Sequence, residues 1–232
     1  MDGRQLFVVW VVSVSLLAQA PVKLREHVRL EGTQIDLRGT NATDDDLREI
    51  GAAEFSRVTA VLLAGTQVSD AGLAYLIRLP LRQLDLGRTQ ITDAGLAQLR
   101  TLPLERLELT GTDVTDAGLT QLKGLPLVML VLRDTKINGP GLAALDGLDL
   151  RLLDLSHTVV TDASIGALEK VKGIGTLDLS DTRITNQAVP HLERIAGLST
   201  VDLAGTGVGP EGVARLKRSR PQLIVVTARP VR

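Results

Sequence analysis

Apolar and polar positions alternate along this chain with a fixed period, and that period governs every other reading of it. A core of the form apolar-x-apolar-x-x-Thr occurs eight times. It runs Ile35-Asp36-Leu37 with Thr40, Val61-Leu62-Leu63 with Thr66, Leu84-Asp85-Leu86 with Thr89, and Leu107-Glu108-Leu109 with Thr112. It continues as Leu130-Val131-Leu132 with Thr135, Leu153-Asp154-Leu155 with Thr158, Leu177-Asp178-Leu179 with Thr182, and Val201-Asp202-Leu203 with Thr206. The threonines are spaced 26, 23, 23, 23, 23, 24 and 24 residues apart. A truncated ninth core, Leu223 to Ala228, reads as a terminal strand that closes the stack.

The alternating piece predicts a short strand, because a period of two sends both apolar side chains to one face. The segment that follows, such as Ile91-Thr92-Asp93-Ala94-Gly95-Leu96-Ala97-Gln98-Leu99, shifts its apolar positions to a spacing of three and predicts a helix on the opposite wall. Thr92 suits the N-cap, and Asp93 sets negative charge against the helix dipole. Ile91 with Leu96 forms a hydrophobic staple. The staple recurs as Val68 with Leu73, Val114 with Leu119, Ile137 with Leu142, Val160 with Ile165, Ile184 with Val189 and Val208 with Val213. Pro210 fits the first helical position of the last repeat. The small residue before the second staple position, glycine in most repeats, is expected to let the helix approach the strand layer closely.

The motif L-x-x-L-x-L-x-x-T-x-[IV]-T-D-A-G-L-x-x-L resembles bacterial leucine-rich repeats of the ribonuclease-inhibitor-like group, over about residues 35 to 228. It departs from that group's best-known form by carrying Thr where Asn or Cys is usual. The resemblance implies an α/β fold: a right-handed solenoid, horseshoe or arc, with a parallel sheet on the concave side and short helices on the convex side. About eight repeats and a terminal strand would build it. It implies no particular ligand, because one fold carries many functions.

The first 20 residues differ from the rest. Arg4 precedes an apolar run from Leu6 to Leu17, and Ala18-Gln19-Ala20 ends it, the order of a secretory signal. The expected organisation is a signal peptide at 1–20, which could persist as an uncleaved anchor, and an N-terminal cap at 21–34. The repeats would follow at 35–228 and a tail at 229–232. The apolar run is shorter than the roughly 20 residues that span a bilayer, so no stable membrane span is expected. The expected location is secreted, periplasmic or cell-envelope, and the expected state is a monomer.

Composition narrows the chemistry. A formal net charge of −1 and only Phe7, Trp10, Phe55 and Tyr75 as aromatics argue against nucleic acid, which needs clustered cations and stacking side chains. With no cysteine there is no disulfide framework, thiolate nucleophile or cysteine metal site. No cofactor and no metal site are predicted, and no residue is assigned a catalytic role.

The middle residue of each strand core points to the concave surface. Those residues are Asp36, Leu62, Asp85, Glu108, Val131, Asp154, Asp178 and Asp202, six of the eight acidic. They read either as a solvated repeat consensus or as an acidic docking strip for a basic partner or a cation. The strip is interrupted in the fifth repeat, where Met129 and Val131, with Leu152 on the next strand and Arg133 beside them, form an apolar group rimmed by charge, the make-up of a binding centre. The expected partner-binding set is therefore Asp85, Glu108, Met129, Val131, Arg133, Leu152, Asp154, Asp178 and Asp202. A column just after the strands brings Asp134, His157 and Asp181 together on the rim, read as a polar ladder. The basic stretch Arg215, Lys217, Arg218, Arg220, Arg229 and Arg232 reads as a polar cap on the open end of the solenoid.

A shallow sheet offers no closed, desolvated pocket to separate the pKa values of paired carboxylates, so an enzyme is not expected. The leading expectation is a non-enzymatic interaction module that holds a protein or peptide on its concave strand face. One alternative is a cell-envelope structural or adhesion component that binds polysaccharide or cations through the acidic strip. The other is a regulatory or inhibitory subunit of an enzyme.

Overall fold

The computed structural model describes residues 29–31, 33–52, 55 and 57–228. The expected leader at 1–20 and tail at 229–232 lie outside the described residues. Each apolar-x-apolar core forms a three-residue strand, and the strands follow sequence order in a single open sheet of ten among the described residues. Strand β1 (Arg29–Glu31) is antiparallel to β2 (Gln34–Asp36), a hairpin partner that the repeat pattern does not announce. Beyond it the strands run parallel: β3 (Ala60–Leu62), β4 (Gln83–Asp85), β5 (Arg106–Glu108), β6 (Met129–Val131), β7 (Leu152–Asp154), β8 (Thr176–Asp178), β9 (Thr200–Asp202) and β10 (Ile224–Val226). The terminal strand expected at 223–228 is β10. The architecture is an α/β leucine-rich-repeat solenoid with the sheet on the concave side and short helical segments on the convex side.

The register never slips: Ile35, Val61, Leu84, Leu107, Leu130, Leu153, Leu177 and Val201 stand side by side from β2 to β9. All eight are buried, and so are the core leucines two residues later. With the staple residues and the leucines of the lower loops they make one continuous apolar core, each fully buried Leu or Val contributing about 1.5–3 kcal/mol relative to an exposed one. A change such as Leu109→Ala would forfeit about 2–5 kcal/mol by transfer and cavity terms.

The threonine column closes each strand. Every Thr hydroxyl donates to the carbonyl of the residue three before it, at 2.6–2.7 Å, from Thr40 on Leu37 to Thr206 on Leu203. That carbonyl belongs to the buried second core residue, so the hydroxyl satisfies a lone pair that water cannot reach. Before each Thr the chain turns through the left-handed region. Glycine fills this position in four repeats (Gly39, Gly65, Gly111, Gly205), but Arg88, Asp134, His157 and Asp181 adopt it with φ of 54–56°.

The helical wall is thinner than the sequence predicts. Four repeats form one α turn, such as Asp93–Leu96, which continues as a 3₁₀ segment (Ala97–Thr101), and the fifth repeat is 3₁₀ throughout (Pro140–Leu145). Longer helices occur in the first repeat (Asp44–Ala52), the seventh (Val189–Arg194) and the last (Pro210–Ser219). Thr92 caps its turn as expected, accepting from the N–H of Ala94, and Ser69 and Thr115 do the same for Ala71 and Ala117.

The aspartate after each cap does more than face the dipole. Asp93 reaches into the next repeat, where one oxygen accepts the Thr115 N–H at 2.8 Å and the other the Thr115 hydroxyl at 2.6 Å. Asp44 with Ser69, Asp70 with Thr92 and Asp162 with Thr185 repeat this bracket. The small residue of the turn has its reason here, which corrects the expectation of close approach to the strands. A Cβ on Gly72, Gly95 or Gly118 would collide with the carboxylate of Asp44, Asp70 or Asp93 from the preceding repeat.

At the open end, the Arg220 guanidinium donates to the carbonyls of Ile195 (2.6 Å) and Leu198 (3.0 Å), and Arg215 pairs with Glu193 through two bonds. These two arginines tie the last helix to its neighbour, whereas Lys217 and Arg218 are exposed.

Candidate partner-binding face

Two residues of every strand point to the concave side, because side chains alternate across the strand. The first column runs Gln34, Ala60, Gln83, Arg106, Met129, Leu152, Thr176 and Thr200; the second runs Asp36, Leu62, Asp85, Glu108, Val131, Asp154, Asp178 and Asp202. Of the first column only Met129 and Leu152 were expected on this face; Gln83, Arg106, Thr176 and Thr200 join them. The same period of two, counted back one step from each acidic position, would have found them.

The acidic residues are held in place locally. One oxygen of each accepts the backbone N–H two residues on: Asp85 from Gly87 (3.0 Å), Glu108 from Thr110, Asp154 from Ser156, Asp178 from Ser180 and Asp202 from Ala204 (each 2.8 Å). Asp36 does the same with Arg38, whose guanidinium folds back on the same carboxylate. The carboxylates thus brace the start of the left-handed turn and present a fixed edge to the concave surface. Burial raises the carboxyls of Asp85, Glu108 and Asp202 above their ordinary values against the opposing pull of those N–H bonds. Neighbouring carboxylates push the same way, Asp85 and Asp154 on Glu108 and Asp178 on Asp202.

The structure brings part of the expected set around one depression of about 210 Å³. Gln83, Asp85, Arg106, Glu108 and Met129 line it together with Leu84 and Leu107. Met129 and Leu152 are direct partners on β6 and β7, both partly exposed, and make the apolar step beside it. Asp154, Asp178 and Asp202 continue as one row on β7, β8 and β9.

Two members differ from the expectation of an exposed apolar group rimmed by charge. Val131 is only 6% exposed. It is a short side chain in register between Glu108 and Asp154, on strands about 4.8 Å apart, so its longer neighbours overtop it. Arg133 is partly buried and donates to the Ser156 hydroxyl at 3.1 Å, so it braces the next repeat. That hydroxyl in turn donates to Asp154 at 2.6 Å, which links Arg133, Ser156 and Asp154 across two repeats. In the rim column His157 Nε2 lies 3.2 Å from Asp181 Oδ2. No group of metal-binding side chains is present among the described residues, and no described helix is long and apolar enough to cross a membrane.

Known proteins match the chain at the level of its repeats and its fold. The leucine-rich-repeat family matches residues 80–99 and 103–122. Among curated proteins none matches. Among solved structures, an internalin C2 of Listeria monocytogenes is similar at 21% identity and a TM-score of 0.65, covering 95% of this chain and 92% of that one. An internalin (inlF) of the same organism gives 19% identity and a TM-score of 0.64, covering 84% of this chain and 54% of that one, so the chain spans about half of its length. A leucine-rich-repeat protein of Leptospira interrogans gives 19% identity and a TM-score of 0.50, over 77% of this chain and 50% of that one.

Proposed function

We propose that the chain is a non-enzymatic interaction module, exported by its leader, that holds a protein or peptide partner against the concave faces of β4 to β9. The observation that carries this reading is the fixed concave edge: carboxylates held by backbone N–H groups, arranged around the partly exposed Met129 and Leu152. Such side chains lose little conformational freedom when a partner arrives, which lowers the cost of binding. Fixed negative charge steers a basic surface to the face, while the apolar step and the adjoining depression provide contact area that excludes water. Chemistry on bound substrate is not part of this reading, because the carboxylates lie on an open sheet rather than in a closed, desolvated pocket.

The experiment places a photo-crosslinking residue at Met129 or Leu152 on the concave face, and at Gln98 or Gln121 on the helical wall. The mature chain is exposed to native envelope extract and the adducts are identified by mass spectrometry. Discrete adducts from the concave positions, lost when Asp154→Asn and Asp178→Asn are added, are expected. Adducts that form only from the wall positions would place the partner elsewhere and end the proposal.

A further inference from the structure

The bracket that ties neighbouring repeats along the helical wall fails at one seam. From Asp44 to Asp116 each aspartate binds the cap of the next repeat, and Asp116 accepts from three backbone N–H groups, those of Asn138, Gly139 and Gly141. The position that should extend the series toward Thr161 is Gly139, which has no carboxylate to offer, and Thr161 makes no side-chain cap bond. The bracket resumes with Asp162 on Thr185 and ends with Asn186 on the Gly209 N–H.

The space left by the missing carboxylate is filled from the other side. Ser164 stands where the second to fifth and the eighth repeats carry glycine and the seventh Ala188, and a Cβ on Gly139 would collide with its hydroxyl. That hydroxyl does not cross the seam: it donates to the Thr161 carbonyl of its own repeat at 3.0 Å. The backbone bond that crosses the wall here, Val159 N–H to the Ile137 carbonyl, measures 3.3 Å. Its equivalents for Gln90, Asp113, Lys136 and Arg183 measure 3.0–3.1 Å. Gly139 itself turns at φ +120°, and the fifth repeat's wall segment is 3₁₀ throughout. On the sheet side nothing is lost, since β6 and β7 stay in full register and Leu132 N–H donates to the Asp154 carbonyl at 2.8 Å.

We infer that the arc flexes at the seam between its fifth and sixth repeats, with the β6–β7 hydrogen bonds as the hinge pin and the unbracketed wall as the side that spreads. The inference is independent of the binding reading, although the hinge lies directly under Met129 and Leu152 and would let the curvature there adjust. Each aspartate bracket supplies two or three charge-assisted bonds across a repeat boundary, the kind of contact whose absence lowers the free energy of local opening.

Native-state hydrogen exchange on the full chain tests it, with rates corrected for intrinsic sequence effects. The Val159 and Ser164 amides should exchange about tenfold faster than their bracketed counterparts, Asp113 and Gly118, while the Leu132 amide stays as slow as Leu109. Grafting the consensus onto the seam, Asn138→Thr, Gly139→Asp and Pro140→Ala with Ser164→Gly, should remove the difference. Should that variant not fold, the reverse transplant serves: Asp93→Gly with Gly118→Ser should speed exchange at Asp113 about tenfold. Val159 and Ser164 as protected as their counterparts, Leu132 as fast as Val159, or an Asp113 amide unmoved by the transplant would each overturn the inference.

Discussion

Removing a single bracket should weaken the solenoid by far more than a surface carboxylate ordinarily contributes. In Asp93→Ala, the Thr115 N–H and hydroxyl lose a charged acceptor at 2.8 and 2.6 Å, and a gap opens beside Gly118 where the carboxylate had lain. Hydrogen bonds to charged groups contribute about 1.5–3 kcal/mol each when buried. Thr115 is half-exposed, so water replaces part of both, and the expected net loss is about 2–3 kcal/mol. Asp93→Asn keeps an acceptor for the N–H but turns an amide toward the hydroxyl, and should cost about 1 kcal/mol. The seventh repeat already uses the neutral form where it fits, since Asn186 faces Gly209, which has no hydroxyl. The control is Asp113→Ala, which breaks an exposed pair with Lys136 and should cost under about 0.5 kcal/mol. Urea unfolding followed by far-UV circular dichroism reads all three. Because repeats contact only their neighbours, Asp93→Ala should also broaden the transition as the blocks on either side uncouple. A midpoint for Asp93→Ala no lower than that of Asp113→Ala would refute the reasoning, and the bracket would then be geometry without energetic weight.

Three further outcomes are expected. Thr112→Val keeps the buried shape but removes the hydroxyl bond to Leu109, whose carbonyl retains the Thr112 N–H at 3.2 Å, so equilibrium unfolding should show a loss of about 1 kcal/mol and no change of fold by circular dichroism. Arg88→Gly relieves a left-handed backbone at an exposed position where four other repeats already have glycine, and should raise the melting temperature slightly, by the equivalent of about 0.5–1 kcal/mol; a lower melting temperature would show that the arginine side chain stabilises more than the strain costs. Glu108→Gln should stabilise the protein at pH 7. Burial raises this carboxyl above its ordinary 4.5, so the folded state holds the proton more tightly than the unfolded one and the charge costs stability at high pH. The advantage should vanish as pH falls through the folded pKa to below 4.5, which paired unfolding curves across that range would show.

The strands, the terminal strand, the threonine column and the cap at Thr92 could be read from the chain because each depends on spacing within one repeat. What escaped depends on pairs that only stacking creates. Asp93 looked complete as a first-turn residue, and nothing within its own repeat shows that its carboxylate is spoken for by Thr115, 22 residues on. The signal lay in the covariation of two columns down this single chain, with Gly139 followed by Ser164 where the four preceding pairs, from Asp44 with Gly72 to Asp116 with Gly141, have Asp followed by Gly. Val131 escaped for a related reason: the alternation correctly placed it on the concave side, but its burial is decided by the length of Glu108 and Asp154 in the adjacent strands. The left-handed turn was foreshadowed by glycine at four of its eight positions, and Arg88, Asp134, His157 and Asp181 obscured it.

The pairing of an aspartate in one repeat with a glycine in the next sets a rule for how such a chain can lengthen or shorten. A duplicated or deleted stretch preserves the wall only when the two residues brought together at the new junction match: a carboxylate against glycine or, as Asp162 meets the seventh repeat, alanine (Ala188), or glycine against serine. Copying the third repeat after itself sets Asp93 against Gly95 and leaves every junction satisfied. Copying the fifth after itself sets Gly139 against Gly141, with neither carboxylate nor hydroxyl to fill the space, and deleting it sets Asp116 against Ser164, where both compete for the same volume. The repeats are therefore directional couplers with two incompatible fittings, and the lineages open to this solenoid by slippage or recombination are those that keep the fittings in order.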